Sequence, residues 1–100
     1  MSKVNNKDII LITGSAGFVG FHATYFYLSQ GYKILGIDAL NQYYDVNLKL
    51  KRNEILSSFE NYIFFKESLE NKESLKKIVY KYKPTIVLHL AAQAGVRYSI

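Results

Sequence analysis

Residues Asp8 to Thr13, DIILIT, form a short apolar run that ends at Gly14, and two more glycines, Gly17 and Gly20, follow at even spacing before the next apolar segment. A run this short, β-branched and apolar on both faces suits a strand buried between two helical layers of a parallel sheet. Parallel neighbours need crossovers long enough to hold a helix, so a chain that begins this way is expected to alternate strand and helix. A single turn does not need three glycines in seven residues. Something has to approach that backbone more closely than a Cβ would allow.

The rest of the sequence keeps to the alternation. FVGFHATYFYLS, Phe18 to Ser29, is long enough for three helical turns, and Gly31 is well placed to end it. KILGID, Lys33 to Asp38, reads as a second buried strand. After a loop, Asp45 can cap a helix through about Phe59, in which Leu48, Ile55, Leu56 and Phe59 share one face. YIFFK, Tyr62 to Lys66, is a third strand. Asn71 can cap a helix over KESLKKIVYKYK, where Leu75, Ile78, Val79 and Tyr82 recur at helical spacing and Pro84 prevents continuation. TIVLHLAA, Thr85 to Ala92, is a fourth strand. The pattern βαβαβαβ, with right-handed crossovers, makes an α/β fold: the N-terminal half of a doubly wound (Rossmann) parallel sheet with strand order 3-2-1-4. Residues 1–100 are expected to be the front part of one such domain, with the remaining strands beyond Ile100.

Composition narrows the chemistry. One hundred residues, 49% of them hydrophobic, suffice for one small core. With no cysteine there is neither a disulfide framework nor a thiolate metal site, and no metal is expected. The N-terminus, MSKVNNKDII, lacks the apolar core of a secretory leader, and no apolar run approaches the roughly eighteen residues of a membrane span. A soluble cytoplasmic protein with no membrane partner is expected. The net charge of +5 would suit a polyanion, but the lysines are scattered along helical stretches rather than gathered, so no nucleic-acid partner is expected.

Between a first strand and a first helix, the three glycines acquire distinct roles. Gly14 permits the tight turn, Gly17 lets the backbone approach a pyrophosphate, and Gly20 lets helix and strand pack closely. The phosphates then meet free N–H groups at the helix N-terminus, where the macrodipole favours an anion. The spacing Gly-x-x-Gly-x-x-Gly has one residue more than the Gly-x-Gly-x-x-Gly fingerprint. Asp38 ends the second strand at the expected distance beyond the glycines, where its carboxylate can accept hydrogen bonds from both adenosine ribose hydroxyls and repel a 2′-phosphate. NAD is therefore favoured over NADP. Lys49, Lys51 and Arg52 follow on a helix and read as a solvated face.

ITGSAGFVGFH, GYKILGIDALNQYYDVNLK and KPTIVLHLAAQAGVRYSI together resemble the N-terminal part of the extended short-chain dehydrogenase/reductase family of nucleotide-sugar epimerases and dehydratases, and within it the UDP-glucuronate 4-epimerase branch. The glycine motif marks only the broad family. NQYYDVNLK and AAQAGVRYS are the more specific words. The resemblance implies an NAD site in which Gly14, Gly17 and Gly20 line the pyrophosphate, Phe18 and Val19 contribute turn backbone, and Asp38 holds the adenosine ribose. On the loop after Asp38, Asn41 is a further cofactor-binding candidate and Tyr43 is positioned to flank the adenosine. The resemblance also implies Ser68 and Leu69 beside the adenine, and Leu90, Ala91, Ala92 and Gln93 beneath the nicotinamide-side ribose and phosphates. Two departures stand out. Asp38-Ala39 replaces the usual Asp-Asn, and Glu67-Ser68-Leu69 replaces Gly-Asp-Leu, which exchanges a charged adenine acceptor for a hydroxyl at about 1 kcal/mol of binding.

The activity implied by the resemblance is 4-epimerisation of UDP-glucuronate to UDP-galacturonate through a 4-keto sugar, supplying surface polysaccharide, with a full-length homodimer expected. A tyrosine with a lysine four residues on would carry the proton. That pair is expected beyond Ile100, and these residues alone should catalyse nothing. Arg97, just past the fourth strand, is a candidate for the substrate's carboxylate or diphosphate, and Ser99 is a weaker one. His22 and His89 read as packing residues, the first facing the interior and the second in mid-strand. Two other readings stay open: a 4,6-dehydratase or other sugar-nucleotide epimerase of the same family, and a non-catalytic NAD-binding regulatory or scaffold protein.

Overall fold

The computed structural model describes residues 7–40 and 46–91. Its elements alternate as β1 (Ile9–Thr13), α1 (Phe18–Ser29), β2 (Lys33–Ile37), α2 (Val46–Leu56), β3 (Tyr62–Phe65), α3 (Lys72–Tyr82) and β4 (Ile86–His89). All pairings are parallel and the order is β3-β2-β1-β4. This is the expected half of a doubly wound sheet, in which the chain steps outward from β1 to β3 and then crosses back to the far side of β1.

Successive side chains of a strand point to opposite faces, so apolar runs in the middle strands feed two cores at once. On one face Ile10, Ile12, Ile34 and Tyr62 pack with Leu28 of α1 and Leu56 of α2. On the other, Leu11, Leu35 and Ile37 pack with Ile78 of α3. When both faces are apolar, hydrophobic patterning alone specifies register weakly. A steric notch supplies what the pattern lacks: a Cβ on Gly36 would overlap the hydroxyl of Tyr62, so the ring of β3 lies across the one position of β2 that has no side chain.

The helix ends follow local chemistry. The Asn71 side chain accepts the Ser74 N–H at 3.2 Å as the α3 cap, with Glu73 in the first turn and Lys81 in the last complementing the macrodipole. Lys83, left-handed at φ +54°, closes that helix ahead of Pro84. Gly31, at φ +94°, follows α1 as expected.

Two readings of helix faces need correction. α2 stops at Leu56 rather than near Phe59, because Ser58 folds back and its hydroxyl bonds the Ile55 carbonyl at 2.7 Å. Of its expected face only Leu56 is buried and Phe59 packed, whereas Leu48 and Ile55 are exposed, since the helix leans on α1 rather than across the sheet. On α3, Leu75, Ile78 and Tyr82 pack inward but Val79 is exposed. Val87, which pairs with Leu11 and shares its sheet face, is exposed too, so α3 does not reach over β4. Asp45 lies outside the described residues.

Gly20 sits where α1 crosses the turn after β1, and a Cβ there would overlap the carbonyl of Gly14. Helix propensity favours alanine by about 1 kcal/mol, but the obstacle is backbone and cannot swing aside. Gly20→Ala is therefore expected to lower stability by about 3 kcal/mol or more in urea unfolding. Gly17→Ala, whose Cβ would lie a tight 3.3 Å from the Gly14 oxygen, should cost less, about 1 kcal/mol.

Candidate functional site

Strand register aligns the carboxyl ends of the sheet: Thr13 pairs with Ile37 and His89, and Ile37 with Phe65. The segments leaving those ends, Gly14 to Gly20, Asp38-Ala39, Glu67 to Leu69 and Leu90-Ala91, surround a cleft of about 400 Å³ that α2 closes with Leu48, Lys49 and Arg52. It lies at the topological switch point, where ligands of open α/β sheets bind. Gly14, Gly17, Phe18, Val19, Gly20, Asp38, Ser68, Leu69, Leu90 and Ala91, all singled out from sequence, line it. Asn41, Tyr43, Ala92, Gln93, Arg97 and Ser99 lie outside the described residues.

The floor of the cleft is built around two small groups. Gly14, at φ +75°, donates its N–H to the Ile37 carbonyl at 2.7 Å, and any Cβ would sit 2.7 Å from the Ala91 Cα. The buried Thr13 hydroxyl accepts the Leu90 and Ala91 N–H groups at 3.0 and 3.2 Å, which leaves its proton for Nδ1 of His89 at 2.7 Å. The chain after β4 is thereby drawn under the glycine turn, and the imidazole accepts at Nδ1. His89 thus does more than pack. It ends β4 and completes this hydrogen-bonded corner. His22, by contrast, is exposed on α1, edge-on to the rings of Phe18 and Phe21, because helical spacing turns it away from the buried stripe of Gly20, Thr24 and Leu28.

Above the floor, α1 begins at Gly17 with no side-chain cap and no acidic residue in its first turn. Its leading N–H groups and positive dipole end are therefore uncompensated by side chains at the cleft. Phe18 and Val19 project outward, 67% and 60% exposed, leaving the backbone as the lining surface.

Asp38 is 5% exposed and heavily bonded. Oδ2 accepts the Ala16 N–H at 3.0 Å, and Oδ1 accepts the Leu40 N–H at 2.8 Å and the Lys49 ammonium at 3.1 Å. The Leu40 bond spans two residues and holds that leucine left-handed at φ +56°, a conformation costing roughly 1–2 kcal/mol without glycine. Lys49 and Arg52 are not the solvated face that their helix suggested. The Lys49 side chain is only 12% exposed, and Arg52 bonds the Ala16 carbonyl at 3.2 Å with its guanidinium 5.8 Å from the Phe18 ring. Lys51 alone of the three is exposed. The missed signal is the adjacency of Leu48, Lys49 and Arg52 on one helical face starting next to the end of β2. At the β3 side, the Ser68 hydroxyl accepts the Glu70 N–H at 3.1 Å, and Glu67 accepts from the Asn71 amide at 3.2 Å.

A buried network braces the turn from behind. Tyr62 donates to Oδ1 of Asn53 at 3.1 Å, and its oxygen lies 3.0 Å from the Ser15 hydroxyl, which joins turn, strand and α2. Burial pushes the phenol well above its usual range; the Ser15 hydrogen bond opposes this and the charge of Asp38 adds to it. Tyr62 therefore remains a neutral donor. Tyr62→Phe would leave Ser15 and Asn53 without this partner and is expected to lower stability by about 1–3 kcal/mol in chemical denaturation. Among the described residues no group of His, Cys, Asp and Glu could hold a metal, and no helix is long and apolar enough to cross a membrane.

Fold and cleft together define the first half of a Rossmann-type sheet with its ligand crevice at the strand ends. The family model described as GDP-mannose 4,6 dehydratase matches residues 11–100. Protein CapI of Staphylococcus aureus is 47% identical over 91% of this chain and 27% of its own length. A UDP-glucuronate 4-epimerase of Thermodesulfobacterium geofontis is 44% identical over 90% of this chain and 28% of its own. The crystal structure of UDP-glucuronic acid 4-epimerase from Bacillus cereus, in complex with UDP-glucuronic acid and NAD, matches with a TM-score of 0.77 at 33% identity, over 89% of this chain and 28% of that one. The chain belongs to the extended short-chain dehydrogenase/reductase family of nucleotide-sugar epimerases and dehydratases, close to the UDP-glucuronate 4-epimerases. It spans little more than a quarter of the length of these relatives.

Proposed function

We propose that the chain is the NAD-binding front of a UDP-glucuronate 4-epimerase. The observation that carries the cofactor half of this reading is Gly17. Its φ of −73° suits any residue, and a Cβ there would come to 3.3 Å of the Gly14 oxygen, a tight contact rather than the overlap met at Gly14 and Gly20, so packing demands a glycine there less than at the other two. Gly14 and Gly20 are required by their own packing; at Gly17 packing is tight but not blocked, and a ligand that comes down on the backbone supplies the further reason for glycine.

In this reading Gly17 and the first turn of α1 meet the pyrophosphate, and Gly14 keeps the turn tight. Asp38 accepts from the adenosine ribose, Ser68 and Leu69 flank the adenine, and Leu90, Ala91, Ala92 and Gln93 run beneath the nicotinamide side. Asn41 and Tyr43 border the adenosine, and Arg97 and Ser99 stand toward the sugar nucleotide. When bound, NAD supplies reversible hydride acceptance at the sugar. The residues of this chain bind and orient it and keep water from its phosphates, while the proton-carrying tyrosine and lysine are placed beyond Ile100. The working form would be a cytoplasmic homodimer.

The substrate half of the reading draws its support from the named activity of the epimerase relatives. The full-length protein incubated with UDP-glucuronate should yield UDP-galacturonate. The family model's description favours a second reading, a 4,6-dehydratase, which would leave UDP-glucuronate unchanged and remove water from a nucleotide hexose. A non-catalytic binder would hold NAD and convert neither. For the cofactor, Gly17→Ala should weaken NAD binding about tenfold or more by calorimetry while lowering the unfolding midpoint less than Gly20→Ala does, the mark of a residue shaped for a ligand.

A further inference from the structure

We infer that Arg52 is a positioning residue for the pyrophosphate: reaching across from α2, it fixes the peptide that precedes Gly17 and so holds the first turn of α1 in its binding geometry before the dinucleotide arrives. The inference rests on the proposed dinucleotide site and assigns to it a residue from outside the glycine turn.

The peptide that joins Ala16 to Gly17 is held at both ends. Its oxygen accepts from Nη1 of Arg52 at 3.2 Å, and its N–H donates to the Gly14 carbonyl at 3.0 Å. The guanidinium also lies 5.8 Å from the centre of the Phe18 ring. Arg52 thus grips the residue before Gly17 and the residue after it, while Gly17 itself lines the cleft. The Gly17 carbonyl in turn accepts the Phe21 N–H at 2.8 Å, the bond that opens α1. The peptide plane set by Arg52 is therefore the last one before the helix, and it aims the N–H groups of the first turn.

A clamp is needed there for a physical reason. Glycine loses more conformational freedom on ordering than any other residue, so a turn bounded by Gly14 and Gly17 and left loose would have to be ordered by its ligand, at a cost in affinity. Asp38 restrains the preceding peptide, through the Ala16 N–H at 3.0 Å, but not this one. No side chain caps α1 to do it instead. Nor does α2 depend on Arg52 for its seat. That helix is attached by buried Leu56, by the Lys49–Asp38 pair and by the hydrogen bond between Asn53 and Tyr62. Removing the guanidinium should therefore loosen the turn and leave the helix in place.

The test is calorimetric binding of NAD, and of adenosine in competition with NAD, to the full-length protein freed of resident nucleotide. Adenosine lacks the pyrophosphate, so a loss confined to NAD reports the turn, whereas a collapsed cleft would weaken both. Arg52→Met, which keeps the aliphatic stem, should weaken NAD about tenfold or more and adenosine by less than about twofold, with the unfolding midpoint close to that of the unaltered protein. The loss should persist at about 1 M salt, where the Debye length is about 3 Å, since the guanidinium acts through an uncharged carbonyl. Arg52→Lys, which can still donate to that carbonyl, should recover NAD binding to within a few-fold. Should Arg52→Met fail to fold, Arg52→Gln makes the same comparison, with NAD weakened a few-fold more than adenosine. Unchanged NAD binding in Arg52→Met, equal loss of both ligands, or a loss abolished by salt would each overturn the inference and leave the NAD reading standing. Failure of the unaltered protein to bind NAD would overturn the NAD reading itself, and this inference with it.

Discussion

The cleft depends on how closely α1 crosses the turn that follows β1. Gly20 rides against the carbonyl of Gly14 with no room for a methyl group, and Gly14 in turn lies against the backbone of Ala91. Three segments of main chain are therefore stacked without intervening side chains. The stacking aims the first turn of α1 along the strand ends and brings the chain leaving β4 beneath it. The Thr13 hydroxyl, bonded to Leu90, Ala91 and His89, holds that third layer in place.

Around this backbone stack the polar groups divide by wall. The α1 wall offers N–H groups and the end of a helix dipole, suited to anions without side-chain charge. The α2 wall offers formal charge: Lys49 paired with Asp38, and Arg52 on the Ala16 carbonyl. The two walls touch through Asp38, whose carboxylate bonds the Ala16 amide of the turn and the Lys49 ammonium of the helix.

The backbone-determined part of this arrangement was legible in the sequence. Short apolar runs, the Asn71 cap and Pro84 were enough for element order and strand order, and three spaced glycines with Asp38 were enough to locate the cleft. Ten of the residues singled out for it line it. The readings that failed depended on tertiary packing. Helical spacing grouped Leu48 with Leu56, but α2 leans on α1 and turns Leu48, Lys49 and Arg52 toward the cleft. Periodicity likewise put His22 inward, on a helix whose apolar residues go all the way round and so give no direction. Lys49 was misread for a physical reason: a lysine looks solvated until a buried acid from another element is brought beside it.

The notch at Gly36 has a consequence at some distance from itself. In a sheet apolar on both faces, sliding one strand by two residues preserves every inside and outside assignment, so hydrophobicity does not resist it. Such a slide would carry the end of β3 roughly 7 Å along its neighbour, and with it Glu67, Ser68 and Leu69. Tyr62 can seat its hydroxyl, with Ser15 and Asn53 as partners, only where β2 lacks a side chain. One phenol and one missing methyl thus act as an alignment pin for a wall of the cleft that neither of them lines.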